Sequence, residues 1–376
     1  MEPLVKWARK NQPALIRLIR DLVECESPTD SPGAVTRCME LLAESAADIA
    51  GSRVVDGSYV YDFRLPGAAT QGRILALGHA DTVWPLGTLR TMKFRNRDGR
   101  LWGPGVLDMK AGLAMFVFAM RALRELKIPV RHRVSMLVNP DEETGSKSSR
   151  GTTESLARGA RAVLVIEPGA GLTGKVKTAR KGIGAYRVAV KGVAAHSGLD
   201  FEKGASAIVE LSRQISEKIA GFTDLKRGVT VNPGVISGGT RTNVTAALAE
   251  ALIDARVPSA RDAAALDKKF GGLKPFDRRC SLEITGGLNR PPMERSRGGV
   301  ELFRLAQRCA NELGVTLEES ATGGGSDGNF TAALGVPTLD GIGAVGEGAH
   351  AAHESVLVER LADRVALLAK IVAHLS

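Results

Sequence analysis

Five stretches of this chain combine imidazole and carboxylate groups in patterns that could hold cations and move protons. They are His79-Ala80-Asp81, Asp108-Met109-Lys110, Asp141-Glu142-Glu143, Glu167-Pro168 and His350-Ala351-Ala352-His353-Glu354. Each has an ordinary structural reading when taken alone. A histidine after a strand is commonly a core residue, Asp108 could cap the helix that follows, and two histidines three apart could share an exposed helical face. Three consecutive acids after an apolar segment are harder to explain without cations, because neighbouring like charges oppose one another's ionisation. Together the stretches supply two or three histidines and at least four carboxylates. One metal takes about three or four protein ligands, so this inventory suits two. Mixed imidazole and carboxylate donors favour zinc, with cobalt or manganese as substitutes.

The hydrophobic pattern shows which elements must position these groups. The runs 74–77, 134–138 and 162–166 are short and apolar, as strands buried on both faces are. Helix-like stretches near 111–127 and 150–160 alternate with them. Earlier, Leu15, Leu18, Ile19, Leu22 and Val23 share one helical face that stops before Pro28, and a second helix is expected over 33–50. This alternation implies an α/β layer fold with a mostly parallel sheet. Ligand sites in such sheets form at the carboxyl ends of strands, where most of the five stretches fall. After about residue 180 the pattern changes. Tyr186, Val188 and Val190 alternate with polar or small neighbours, a helix runs through Ile208, Leu211, Ile215 and Ile219, and further alternating segments lie near 229–236, 246–257 and 281–285. We therefore expect a smaller α+β domain at 181–290, inserted into a catalytic domain made of 1–180 and 291–376.

The 376 residues are 44% hydrophobic and 24% charged, which excludes wholesale disorder and suffices for one large core and a smaller one. Only 4% are aromatic, so the cores must be mainly aliphatic. The net charge of +10 is scattered over many arginines, without a basic run or interleaved aromatics. That argues against a nucleic-acid partner and fits a cleft that attracts anionic substrates. No apolar run reaches the roughly 18 residues of a membrane span, and the N-terminus shows no signal-peptide core. Cys25, Cys38, Cys280 and Cys309 lack CxxC spacing and read as reduced thiols. A cytoplasmic protein without a membrane partner is expected.

In this order the motifs resemble those of the dinuclear zinc hydrolases that include carboxypeptidase G, aminoacylase, acetylornithine deacetylase and succinyl-diaminopimelate desuccinylase. The likeness runs from Ser27-Pro28 to the last helix. It implies that Asp108 bridges two Zn2+ ions, that His79 and Glu167 complete one site, and that Glu143 and His350 complete the other. His350 is preferred to His353 because of its four-residue step to Glu354. The resemblance makes Asp81 the residue that orients His79, and Glu142 the general base. It assigns stabilisation of the tetrahedral oxyanion to His196, in several members across a dimer interface, which makes the inserted domain a lid or dimerisation domain and a homodimer possible.

The nearest likeness is to carboxypeptidase G, which removes C-terminal glutamate. Lys175, Asn243 and Arg256 match positions that recognise a substrate's acidic end. Gly324 and Gly325 lie in a glycine-rich loop, 322–327, whose N–H groups can receive a carboxylate. The implied substrate is a small peptide or N-acyl amino acid cleaved at an amide bond. Deacylation of N-acyl amino acids would use the same centre. A non-catalytic binding protein on the same fold is the alternative from another class, and an intact Glu142 argues against it. The chain departs from the family pattern at Ala111, where Gly is common, and at Thr245-Ala246, where an apolar-Pro pair is usual; neither is an implied ligand.

Overall fold

The three apolar runs become neighbours in one eight-stranded sheet of the computed structural model, which describes residues 2–67 and 72–375. The strand Arg73–His79 lies between Arg133–Asn139 and Ala160–Val165 and runs parallel to both. Thr338–Asp340 adds a fourth parallel strand beyond Ala160–Val165. The register sets His79 opposite Asn139 and Leu77 opposite Val165, so these strands end at a common edge. Ala50–Val55 and Ser58–Phe63 extend the sheet on one side as an antiparallel pair.

Continuous apolarity follows from cover on both faces. The helix Ala111–Glu125 buries nearly all its side chains because it packs between Pro3–Glu24 and Leu361–His374. Those helices share one core with the inward faces of the central strands. A smaller cluster, including Leu75, Leu77, Leu137, Val163 and Val165, fills the opposite face.

The chain forms two compact units. One comprises Met1–Ala179, Arg295–Thr322 and Ser326–Ser376; the other comprises Arg180–Glu294 with Gly323–Gly325. The second unit holds a four-stranded antiparallel sheet in the order Thr230–Gly238, Leu248–Val257, Gly182–Lys191, Ser281–Arg290. Alternation in Leu248–Val257 sends Ala249, Ala251, Ile253, Ala255 and Val257 inward, toward the helices Ala207–Arg213 and Ala260–Gly271. Leu248 and Leu252 stay exposed.

Several helices are shorter than the pattern predicts: the one expected near 111–127 ends at Glu125, and the one near 150–160 ends at Ala157 because Ala160 already begins a strand. The one expected to reach residue 50 ends at Ala46, because Ala50 instead pairs with Phe63 across a hairpin whose turn, Asp56-Gly57, has positive φ at both residues. The one expected through Ile219 is regular only to Arg213 and continues as wider and tighter turns to Phe222.

Candidate metal centre

His79, the 142–143 acids and Glu167 lie at or just past the common strand edge, and Asp108 and His350 come to them from turns outside that sheet. His79, the last residue of its strand, is 1% exposed, and its Nε2 lies 3.2 Å from Asp108 Oδ1 and 3.4 Å from Glu167 Oε1. The other oxygen of Asp108, Oδ2, lies 3.4 Å from His350 Nε2, which is also 3.2 Å from Glu143 Oε2. One carboxylate therefore faces two imidazoles, one through each oxygen. Ligand atoms of His79, Asp108 and Glu143 lie within 4.8 Å of one another, as do those of His79, Glu142 and Glu167. Of the two late histidines, the structure brings His350 to the carboxylates, while His353 packs against Gly348.

Asp81 organises two of these loops at once. It is fully buried; Oδ2 accepts from Thr29 Oγ1 at 2.7 Å, and the N–H groups of Glu142 and Glu143 donate to its two oxygens at 3.1 Å each. His79 Nδ1 lies 3.0 Å from the Asp81 carbonyl and 3.3 Å from Oδ1, which directs Nε2 at the other donors. The acidic loop is also clamped from below. Asn139 Nδ2 donates to Asp327 Oδ2 at 2.6 Å, and Ser146 Oγ donates to the other oxygen of Asp327. Glu167 follows Ile166, whose carbonyl passes so close to Gly112 and Gly343 that a Cβ on either would meet it at 2.2 or 2.1 Å. Thr29, Asn139, Asp327 and both glycines escape a reading of local sequence, since their partners lie on other segments.

The electrostatics test whether cations fit. Burial pushes the Glu143 carboxyl up, whereas hydrogen bonds from His350 and His79 outweigh burial at Asp108 and hold its carboxyl down. His350 is pushed up to about 10 by Asp108 and Glu143. At His79 burial favours the neutral ring, yet Asp108, Asp81 and Glu167 together raise it well above its ordinary value. Without metal, protons on the imidazoles supply the positive charge the carboxylates require. Among the described residues Glu143 Oε1 is buried with no hydrogen-bond partner, an acceptor a cation would satisfy. The donor set fits divalent metal ions.

The sequence pattern of Peptidase family M20/M25/M40 matches residues 75–374. The chain belongs to this family. It is 28% identical to carboxypeptidase G2 of Pseudomonas sp. (strain RS-16), over 99% of this chain and 92% of that protein. It is 30% identical to succinyl-diaminopimelate desuccinylase of Paraburkholderia xenovorans (strain LB400), over 78% of this chain and 80% of the relative. Its fold matches the crystal structure of aminopeptidase PepT from Bacillus cereus ATCC 10987 with a TM-score of 0.78, at 24% identity, covering 97% of this chain and 99% of that one. The protein is thus a metallohydrolase with the family's α/β architecture. No described helix is long and apolar enough to cross a membrane.

The remaining residues singled out in this M20-family chain are held as follows. In the second unit, His196 Nδ1 accepts the N–H groups of Gly198 and Leu199 at 3.1 and 3.2 Å, which leaves the proton on Nε2. The Asn243 carbonyl accepts from Ser197 N–H at 3.1 Å. Arg256 grips Asp254 through Nε and Nη2, both at 2.9 Å, with Nη1 3.5 Å from the Gly323 carbonyl. The Gly324 and Gly325 carbonyls accept from Arg180 Nη1 at 3.2 and 3.0 Å, and Gly325 packs so tightly on Ile183 and Arg290 that a Cβ would clash. In the first unit, Lys175 Nζ pairs with Glu318 at 2.8 Å, in a pocket lined also by Thr173, Arg360 and Asp363 and by none of the metal donors.

Proposed function

We propose that the protein is a dinuclear, zinc-dependent carboxypeptidase that releases C-terminal glutamate, or a similar amino acid, from small peptides and N-acyl amino acids. The observation that carries this reading is the Asp108 carboxylate, with one oxygen toward His79 and the other toward His350. His79, Asp108 and Glu167 would hold one ion; His350, Glu143 and the same Asp108 would hold the other. Bound there, two cations supply Lewis acidity and bring the pKa of a water toward about 7.

The chain's own groups do the rest. Glu142, within 4.8 Å of His79 and Glu167, accepts the proton of the attacking water at a carboxylate oxygen and returns it to the departing amide nitrogen. Asp81 holds the His79 ring and the 142–143 turn. His196, with Nε2–H available to donate, is assigned to the tetrahedral oxygen. Arg256 is assigned to the substrate's acidic end, together with Asn243, Gly324 and Gly325. A guanidinium can hold a carboxylate through two hydrogen bonds, and Asp254 occupies that edge until substrate replaces it. Lys175, which pairs with Glu318 through partly exposed side chains, is assigned to the same acidic end. We place the protein in the cytoplasm as a homodimer, with the 180–294 unit as its lid and dimerisation domain.

The match to carboxypeptidase G2 over nearly the whole of both chains favours glutamate release. The desuccinylase match supports the rival, deacylation of an N-acyl amino acid. A panel separates them: zinc-loaded enzyme assayed on N-acyl-glutamates, small peptides, acetylornithine and succinyl-diaminopimelate. A kcat/KM at least tenfold higher for C-terminal glutamate substrates is expected. Preference for the latter pair would establish the deacylase instead, and no turnover of any, with metal bound, would leave a binding protein.

A further inference from the structure

Glu354 lies outside the proposed donor set, yet four N–H groups converge on its carboxylate. It is fully buried. Oε2 accepts from Gly105 N–H and from Trp84 Nε1–H, both at 2.9 Å. Oε1 accepts from Leu107 N–H at 2.8 Å and from Asp108 N–H at 3.1 Å. Its backbone is engaged as well: the N–H donates to the Ala351 carbonyl at 2.9 Å, closing the turn that follows Gly348, and the carbonyl accepts from Gly103 N–H at 3.4 Å. One residue thereby joins three segments far apart in sequence. They are the turn that ends in Asp108, the loop after Asp81 that carries Trp84, and the turn that presents His350.

That last turn needs an anchor. His350 sits at φ 63 in the left-handed region, and its side chain is 48% exposed. Only a few per cent of non-glycine residues adopt it, although histidine does so more often than most. Asp108, in contrast, is only 16% exposed and sits in the turn before the helix Ala111–Glu125. The gap between their side chains is what a metal ion must fill, and it is bounded by two turns that Glu354 fastens to each other. A carboxylate suits the task because each oxygen accepts two hydrogen bonds.

We infer that Glu354 is a positioning residue that ties the His350 turn to the Asp108 turn and so sets the spacing of the second metal site. The inference rests on the two-metal reading above. Glu354→Gln must turn its amide nitrogen toward one pair of donors, Gly105 and Trp84 or Leu107 and Asp108, whichever way the amide faces. Trp84→Phe removes a single donor and leaves the three backbone donors in place.

The test measures zinc content after dialysis, zinc affinity by chelator competition, and the visible spectrum of the cobalt-loaded protein, with thermal melts of the metal-free chains alongside. Wild type is expected to hold two ions. Glu354→Gln is expected to lose one, or to bind it roughly 10–100-fold more weakly, with a changed cobalt spectrum. Trp84→Phe should keep both, with a smaller loss of affinity at one. Two ions at wild-type affinity in Glu354→Gln overturns the inference alone. Fewer than two ions in wild type overturns the two-metal reading and the inference with it. If metal-free Glu354→Gln does not fold, Trp84→Phe decides: weakened binding at one ion with an altered spectrum upholds the inference, and wild-type values for both overturn it.

Discussion

The backbone that carries Glu167 runs through a slot bounded by two glycines, and Gly112→Ala tests whether that slot matters. Ala outranks Gly in helices by about 1 kcal/mol, so the helix Ala111–Glu125 would by itself gain from the change. The structure predicts the opposite sign. The new Cβ would stand 2.2 Å from the Ile166 carbonyl oxygen, where contacts below 3.0 Å essentially never occur, so strand end and helix must part by about 1 Å. The yielding atoms are backbone rather than the end of a flexible side chain, which puts the cost at about 2–3 kcal/mol, the upper end of what overpacking typically costs. Net destabilisation of about 1–2 kcal/mol is expected. At about 2–4 °C per kcal/mol for a domain of this order of size, Tm should fall by roughly 2–8 °C. Displacing Glu167 by the same distance should lower kcat/KM by roughly 10²-fold. Circular-dichroism melts of the metal-free and metal-loaded chains, with steady-state hydrolysis, measure both. Gly151→Ala is the control: it lies in the helix Arg150–Ala157 with nothing within 4 Å of its Cβ, and should melt at or slightly above wild type. A Gly112→Ala protein that melts at or above wild type and keeps its rate would refute the close-approach argument.

Four further outcomes follow from the same geometry. Glu142→Gln should lower kcat by about 10²–10⁴-fold with metal content unchanged; loss of an ion, measured by elemental analysis, would move Glu142 into the ligand set. His350→Ala should lose metal while His353→Ala keeps it, and equal contents would contradict the placement of His350. Dialysis against a chelator should lower Tm, and zinc restored to 100 times Kd should return about 2.7 kcal/mol, read as a rise of several degrees. Arg256→Ala should raise KM at least tenfold for C-terminal glutamate substrates while sparing neutral ones; an unchanged ratio would remove Arg256 from recognition.

Much of the frame is legible without coordinates. Strands covered on both faces must be apolar throughout, and so the runs near 75, 135 and 163 declare themselves, with His79, the 141–143 acids and Glu167 at or just past their ends. The alternation in Leu248–Val257 marks a sheet with one buried face for the same reason. Overshoot occurs where propensity and pairing conflict: the segment before Ala50 is rich in good helix formers, but Ala50 has a strand partner thirteen residues on in Phe63.

Chain order and residue type thus determined the layered fold and which imidazoles and acids were available, because periodicity records burial and strand ends record where the chain leaves the core. Tertiary structure alone decided that Lys175 pairs with Glu318, and that Asp81, Asp327 and Glu354 hold the loops that carry the donors. Those contacts join turns with no periodicity, across as many as 270 residues between Trp84 and Glu354. A hydrogen bond of that span leaves no pattern in either segment until the sheet has brought them together.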